Sequence, residues 1–139
     1  MKEDHAFIST VVQKVKKSRG GGAAHMSKDL YDLRLGIYVR TKEFVVSVVS
    51  SASPSSHESL SYIQSVDEAL FLFDETYYNH LLSIFRKSLR LALVNDLVSQ
   101  PSSRESIADL AQEKMEILLW FADQVEDIRQ KTIPYMRWH

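Results

Sequence analysis

Apolar residues recur at helical spacing through three long segments of this chain, and very little interrupts them. Only four glycines and three prolines occur in 139 residues, and Gly20, Gly21 and Gly22 are consecutive. A β-sandwich or barrel needs turn residues every few positions. Their scarcity therefore predicts long helices with few connections. Apolar residues three and four apart share one helix face, so each segment has a side to bury. A chain of this length fits one domain with a real hydrophobic core.

The first long segment starts near Ser27, an N-cap candidate with Asp29 in the first turn. Leu30, Leu33, Ile37, Phe44 and Val48 form its stripe, and Leu35, Tyr38, Val45 and Val49 widen it. So wide an apolar arc predicts more than one packing neighbour. The helix should stop in "SSASPSS", where Pro54 lacks an amide hydrogen and biases Ser53 away from helix. Ser56 then reads as the cap of a short helix carrying Leu60 and Ile63. Ser65 and Glu68, three apart, read as a capping box that restarts a turn. Asp74 is the N-cap candidate for a helix over about 75 to 98. Its face is Tyr77, Leu81, Ile84, Ser88, Leu91 and Val98, flanked by Leu82, Phe85, Leu89 and Ala92.

The last segment opens after Pro101 with Ser102 and Glu105 as a further capping box. Ile107, Leu110, Ala111, Leu118, Phe121, Ala122, Val125 and Ile128 follow the helical period until Pro134 closes the element. Tyr135 and Trp138 are large and amphipathic and should dock on the body. The expected fold is an all-α, antiparallel up-and-down bundle of three long helices plus a short broken one. A further amphipathic helix could precede it.

Several functions are disfavoured by composition and motif. There is no cysteine, so disulfides and thiolate metal sites are excluded. A net charge of -1 gives no global attraction to nucleic acid. No apolar run is long enough to cross a membrane, which points to a cytoplasmic chain, with the inner face of the membrane as the alternative. Di-iron bundles need Glu-x-x-His pairs, and none occurs; Glu113 and Glu116 fall on the polar face. His5, His25, His57, His80 and His139 are scattered rather than set at ligand spacing, and His80 reads as structural. Phosphate-binding, dinucleotide and nucleophile-elbow motifs are absent. Asp67, Glu68, Asp74 and Glu75 lie close together beside Tyr77 and Tyr78, and helix capping accounts for them better than a cation site. Arg86, Lys87, Arg90, Arg40 and Lys42 should pair with neighbouring carboxylates or face solvent. No catalytic set, metal site or cofactor is expected, nor a small-molecule substrate.

Three stretches carry a resemblance: "LYDLRLGIYVRTKEFVVSVVSSAS", "DEALFLFDETYYNHLLSIFRKSLRL" and "ILLWFADQVEDIRQKTIPYMRW". Their marks are Leu35 with Tyr38, the Phe71 to Asp74 step, and Trp120-Phe121 followed by Pro134-Tyr135. Over about residues 30 to 138 the chain resembles a loose group of small bacterial helical-bundle proteins. In that group a membrane helix often precedes the bundle. The resemblance implies a fold and no activity, and this chain lacks the spanning stretch.

Residues 1 to 25 differ from the rest. They carry five Lys/Arg against Glu3 and Asp4, a balance of +3, whereas the remainder carries -4. Phe7, Ile8, Val11, Val12 and Val15 recur at three and four, with Lys14, Lys16, Lys17 and Arg19 following. "GGGAA" then breaks regularity. Two readings stand. His25-Met26 is what a cloning site with a start codon encodes, so residues 1 to 25 could be an added leader before a bundle domain over 26 to 139. Alternatively they are a native basic amphipathic arm. In that case Phe7, Ile8, Val11, Val12 and Val15, with Lys14, Lys16 and Lys17, form the contact surface for a protein partner or an anionic membrane. The functional expectation is a non-enzymatic helical module for protein–protein interaction or self-association. The alternative is a peripheral membrane-associated domain anchored through the arm or through a missing membrane segment.

Overall fold

The computed structural model describes residues 26–100 and 107–137. The elements are α1 (Lys28–Ser51), α2 (Ser56–Ser65), α3 (Ala69–Leu72), α4 (Glu75–Val98), α5 (Ile107–Thr132) and a 3₁₀ turn (Ile133–Tyr135). No strand occurs among the described residues. The three long helices and the broken pair α2–α3 form an all-α bundle, as the periodicity predicts.

The chain runs up α1, down α2 and α3, up α4 and down α5. α5 packs against both α1 and α4, α2 packs against α4 and α1, and α1 and α4 meet only across the diagonal. Leu30, Ile37, Val45 and Val48 of α1, Leu81, Ile84 and Leu91 of α4, and Ile117, Phe121 and Ile128 of α5 share one buried cluster. Removing such side chains from water, at roughly 1.5–3 kcal/mol each, is the main favourable term.

Three hydroxyl pairs cross between helices inside this core. Thr41 Oγ1 lies 3.0 Å from the Tyr62 hydroxyl, joining α1 to α2. Ser88 Oγ donates to Ser59 Oγ at 2.8 Å, joining α4 to α2. The Tyr77 hydroxyl lies 2.8 Å from Thr132 Oγ1, joining α4 to α5. Each pair spares two buried polar groups the cost of going unpaired.

Helix ends follow local chemistry. Ser27 Oγ accepts from Leu30 N at 3.1 Å and starts α1. Asp74 Oδ1 accepts from Tyr77 N at 2.9 Å and starts α4. α1 stops differently from the proline-based expectation. Ala52 takes the left-handed conformation, φ 56°, and its N–H bonds Val48 O. A left-handed alanine is strained because its Cβ crowds the backbone. Asn95 Nδ2 holds the corner from across the diagonal by donating to Ala52 O at 3.1 Å. Pro54, buried, then prevents any continuation.

Four sequence expectations need correction. The cap of α2 is Ser55, in a reciprocal capping box with Glu58, rather than Ser56. That frame turns Ser59 and Tyr62 inward and leaves Leu60 exposed. Ser65 and Glu68 form no capping box: Ser65 Oγ donates to Tyr62 O, and Glu68 makes no side-chain cap bond. Leu35 and Val49 on α1, Val98 on α4 and Ile107 on α5 face outward. Ala111 and Ala122 are exposed too, while Ile117 and Gln124 are buried in their place. The Ser102–Glu105 box, Trp138 and residues 1 to 25 lie outside the described residues.

Phe121 is fully buried and central. Phe121→Ala should cost roughly 3–5 kcal/mol in a denaturant titration. A loss below about 1 kcal/mol would mean that the site collapses freely around the missing ring.

Candidate functional site

At the end of the bundle where α1 begins, Arg34 gathers remote segments. Its Nε donates to Leu72 O at 2.6 Å, and its Nη1 donates to Tyr135 O at 2.8 Å. Its guanidinium also lies over the Phe73 and Tyr135 rings, 5.6 and 5.8 Å from their centroids. Phe73 stacks on Tyr77 with centroids 3.8 Å apart, and Tyr135 meets both rings edge-on. The Tyr135 hydroxyl donates to Asp74 Oδ2. That bond, with the Tyr77 amide, holds the Asp74 carboxyl below its usual range. Burial, then Asp74, pushes the Tyr135 phenol up to about 12. The cluster is self-satisfied: each charge has partners within the fold, and its chemistry is that of a clasp.

A second polar group sits in the seam between α4 and α5. His80 Nε2 is buried without a hydrogen bond, 3.5 Å from Asp127 Oδ2. Asp127 already accepts from Lys131 Nζ at 2.6 Å. Gln124 donates to Trp120 O at 3.3 Å, and its buried Oε1 has no partner. Lys87 covers the Trp120 ring, 5.1 Å from its centroid. Burial, then Lys131, lowers the His80 pKa despite Asp127. The imidazole is therefore neutral at pH 7. Further along the seam, Arg90 forks Glu113, with Nε–Oε2 at 2.5 Å and Nη2–Oε1 at 2.6 Å. Among the described residues no group of three His, Asp or Glu side chains is placed to hold a metal ion.

The third feature is a surface. On α1, Arg34 reaches the end of α5, while Thr41 and Phe44 meet Tyr62 of α2. Helical rotation of about 100° per residue then puts Leu35, Val39, Val46 and Val49 on the flank beyond α5. On α5, Glu113 and Asp127 mark the side facing α4. Ala108, Ala111, Met115, Leu119 and Ala122 fall on the other flank, toward α1. Both flanks border one seam and form one outer face. Leu119 is 60% exposed, Met115 58% and Val46 42%. The bond from Arg34 to Tyr135 sets the level: Val49 and Leu119 both lie roughly 23 Å along their helices from it. Exposed Asp32, Glu43, Glu116, Asp123 and Glu126 rim the face. Lys42 interrupts the α1 stripe, and Arg129 lies 3.4 Å from Glu126.

The structure thus assigns the sequence candidates unevenly. Phe7, Ile8, Val11, Val12, Val15, Lys14, Lys16 and Lys17 fall outside the described residues. His80 is structural in position but imperfectly bonded. Asp74 of the acidic cluster is a cap, and Arg90 finds a carboxylate on a neighbouring helix. Arg34 escaped notice although a signal existed. It stands four residues after Leu30 and three before Ile37, in the middle of an apolar stripe where an arginine demands an explanation. Comparison with family models, with curated proteins and with solved structures finds no match for the chain.

Two outcomes are expected. Tyr135→Phe should raise the Asp74 pKa toward its ordinary value, read from the carboxyl NMR titration; an unmoved midpoint would assign the shift to backbone bonds alone. For His80, the unfolded chain takes up a proton near 6.5 and the folded chain only at lower pH. His80 therefore contributes stability that is full above 6.5 and lost as pH falls through its folded value. Unfolding free energy should decline in that window, and His80→Gln should flatten the decline.

Proposed function

We propose that the protein is a non-enzymatic helical module for protein–protein interaction or self-association, and that its contact surface is the outer α1–α5 face. The observation that carries this reading is the concentration of exposed large apolar side chains there. Single exposed apolar residues are ordinary on a soluble protein. Leu35, Val39, Val46, Val49, Met115 and Leu119 instead border one seam between two helices, inside a charged rim. An apolar strip along a helix pair, rimmed by polar groups, is the shape that receives an amphipathic helix. Met115 adds an adaptable side chain at the end of the strip remote from the Arg34–Tyr135 bond. Asp74, Tyr135, Arg34, Arg90 and Glu113 are engaged in holding the bundle, which also favours binding over catalysis.

The test changes the face without touching the core. Val46→Asp with Leu119→Asp should leave the thermal midpoint nearly unchanged, since exposed substitutions usually shift stability by about 0.5 kcal/mol or less. In sedimentation velocity over a concentration series, the same pair should weaken self-association at least about tenfold, equivalent to roughly 1.4 kcal/mol. Association of undiminished strength would sink the reading.

A further inference from the structure

Residues 1 to 25 and the α1–α5 face are complementary, and the chain joins them. We infer that the basic amphipathic arm of this chain lies on its own α1–α5 face, with Phe7, Ile8, Val11, Val12 and Val15 against Val46, Val49, Met115 and Leu119. This rests on the reading of that face as a helix-binding surface and names its occupant.

Three observations support the assignment. The first is reach. Met26 stands at the start of α1, within 3.7 Å of Arg34 Nη1 through its sulfur. Residues 16 to 25 can span up to roughly 33 Å when extended. Val46 lies about 29 Å along α1 from Ser27 at 1.5 Å per residue, so an extended linker can deliver Val15 to the level of Val46 and leave Phe7 toward Met115.

The second observation is length. As a helix, residues 7 to 15 would measure about 12 Å, which matches the roughly 12 Å between the levels of Val46 and Met115. The third is charge. The arm carries +3 and the remainder -4. Lys14, Lys16, Lys17 and Arg19 would meet a rim in which Asp32, Glu43, Glu116, Asp123 and Glu126 outnumber Lys42 and Arg129. A second copy could cover the same face, but its rim would oppose like charge to like.

The test uses the full chain. Because no cysteine is present, Val12→Cys supplies a single thiol for a nitroxide label. Expected are strong paramagnetic broadening of the amides of Val46, Val49, Met115 and Leu119, none at Leu60 and Leu93, and weakening at high salt. Met115→Asp with Leu119→Asp should abolish the broadening. Val11→Asp with Val15→Asp should uncover the face and strengthen self-association by about tenfold or more, since a tethered competitor acts at high effective concentration. Absent or uniform broadening overturns the inference. So does broadening that appears only when label and isotope are on different chains, which would make the occupant a second copy. If the arm does not dock yet the face substitutions still weaken association, the inference falls and the interaction reading stands. If the face substitutions change nothing even in the Val11→Asp, Val15→Asp chain, both fall.

Discussion

The bundle depends on one side chain, Arg34, placed where a leucine would ordinarily sit. A guanidinium in the apolar stripe is tolerable only with its donors satisfied, and charge-assisted bonds to carbonyls are worth roughly 1.5–3 kcal/mol each. The carbonyls it finds belong to Leu72, at the end of α3, and Tyr135, in the terminal 3₁₀ turn. Through them α1 holds the broken strut and the C-terminal segment together. The aromatic stack of Phe73, Tyr77 and Tyr135 forms around that charge, and Asp74 closes it by accepting from Tyr135. Apolar packing of the α3 stretch acts alongside this clasp, because Val66, Ala69, Leu72 and Phe73 are buried in the core.

Much of this fold was legible because helical periodicity and capping act locally. Ser27, Asp74 and Pro134 bound their helices as the sequence implies. The limits of legibility are tertiary. α2 carries Leu60 and Tyr62 at nearly equal claim to the core, and the Ser55–Glu58 box chose the frame that buries Tyr62. Ser59 is buried because Ser88 is across from it, a pairing 29 residues apart that no local pattern announces. Leu35 and Val49 are apolar and on period, yet no described element covers their side. The face they help define is thus visible only as the remainder after packing. Arg34 is the opposite case: the sequence marked it as anomalous, and only the fold supplied its partners.

The functional argument divides the same way. Polar groups at the bundle end are spent on one another and position helices, as does the Arg90–Glu113 pair in the α4–α5 seam, where His80 Nε2 and Gln124 Oε1 have no hydrogen-bond partner. The α1–α5 face has large apolar side chains without a described partner, and a module that binds by such a face needs no reactive group. Its acidic rim restricts what can land there, because an apolar strip alone is promiscuous and charge supplies discrimination.

The crossing hydroxyl pairs have a consequence for topology. Four helices joined by short connections can wind around their common axis in either sense. Apolar faces alone distinguish the two windings poorly. In the mirror-wound arrangement α1 would keep its sequence neighbours but present its stripe at the opposite tilt. Thr41 would lose Tyr62 and Tyr77 would lose Thr132, which would strip the two buried tyrosine hydroxyls of their partners, whereas Ser59, Ser88 and Thr132 would keep the backbone carbonyls they also bond. The Tyr62 and Tyr77 hydroxyls thus disfavour the opposite winding, which apolar faces alone would tolerate.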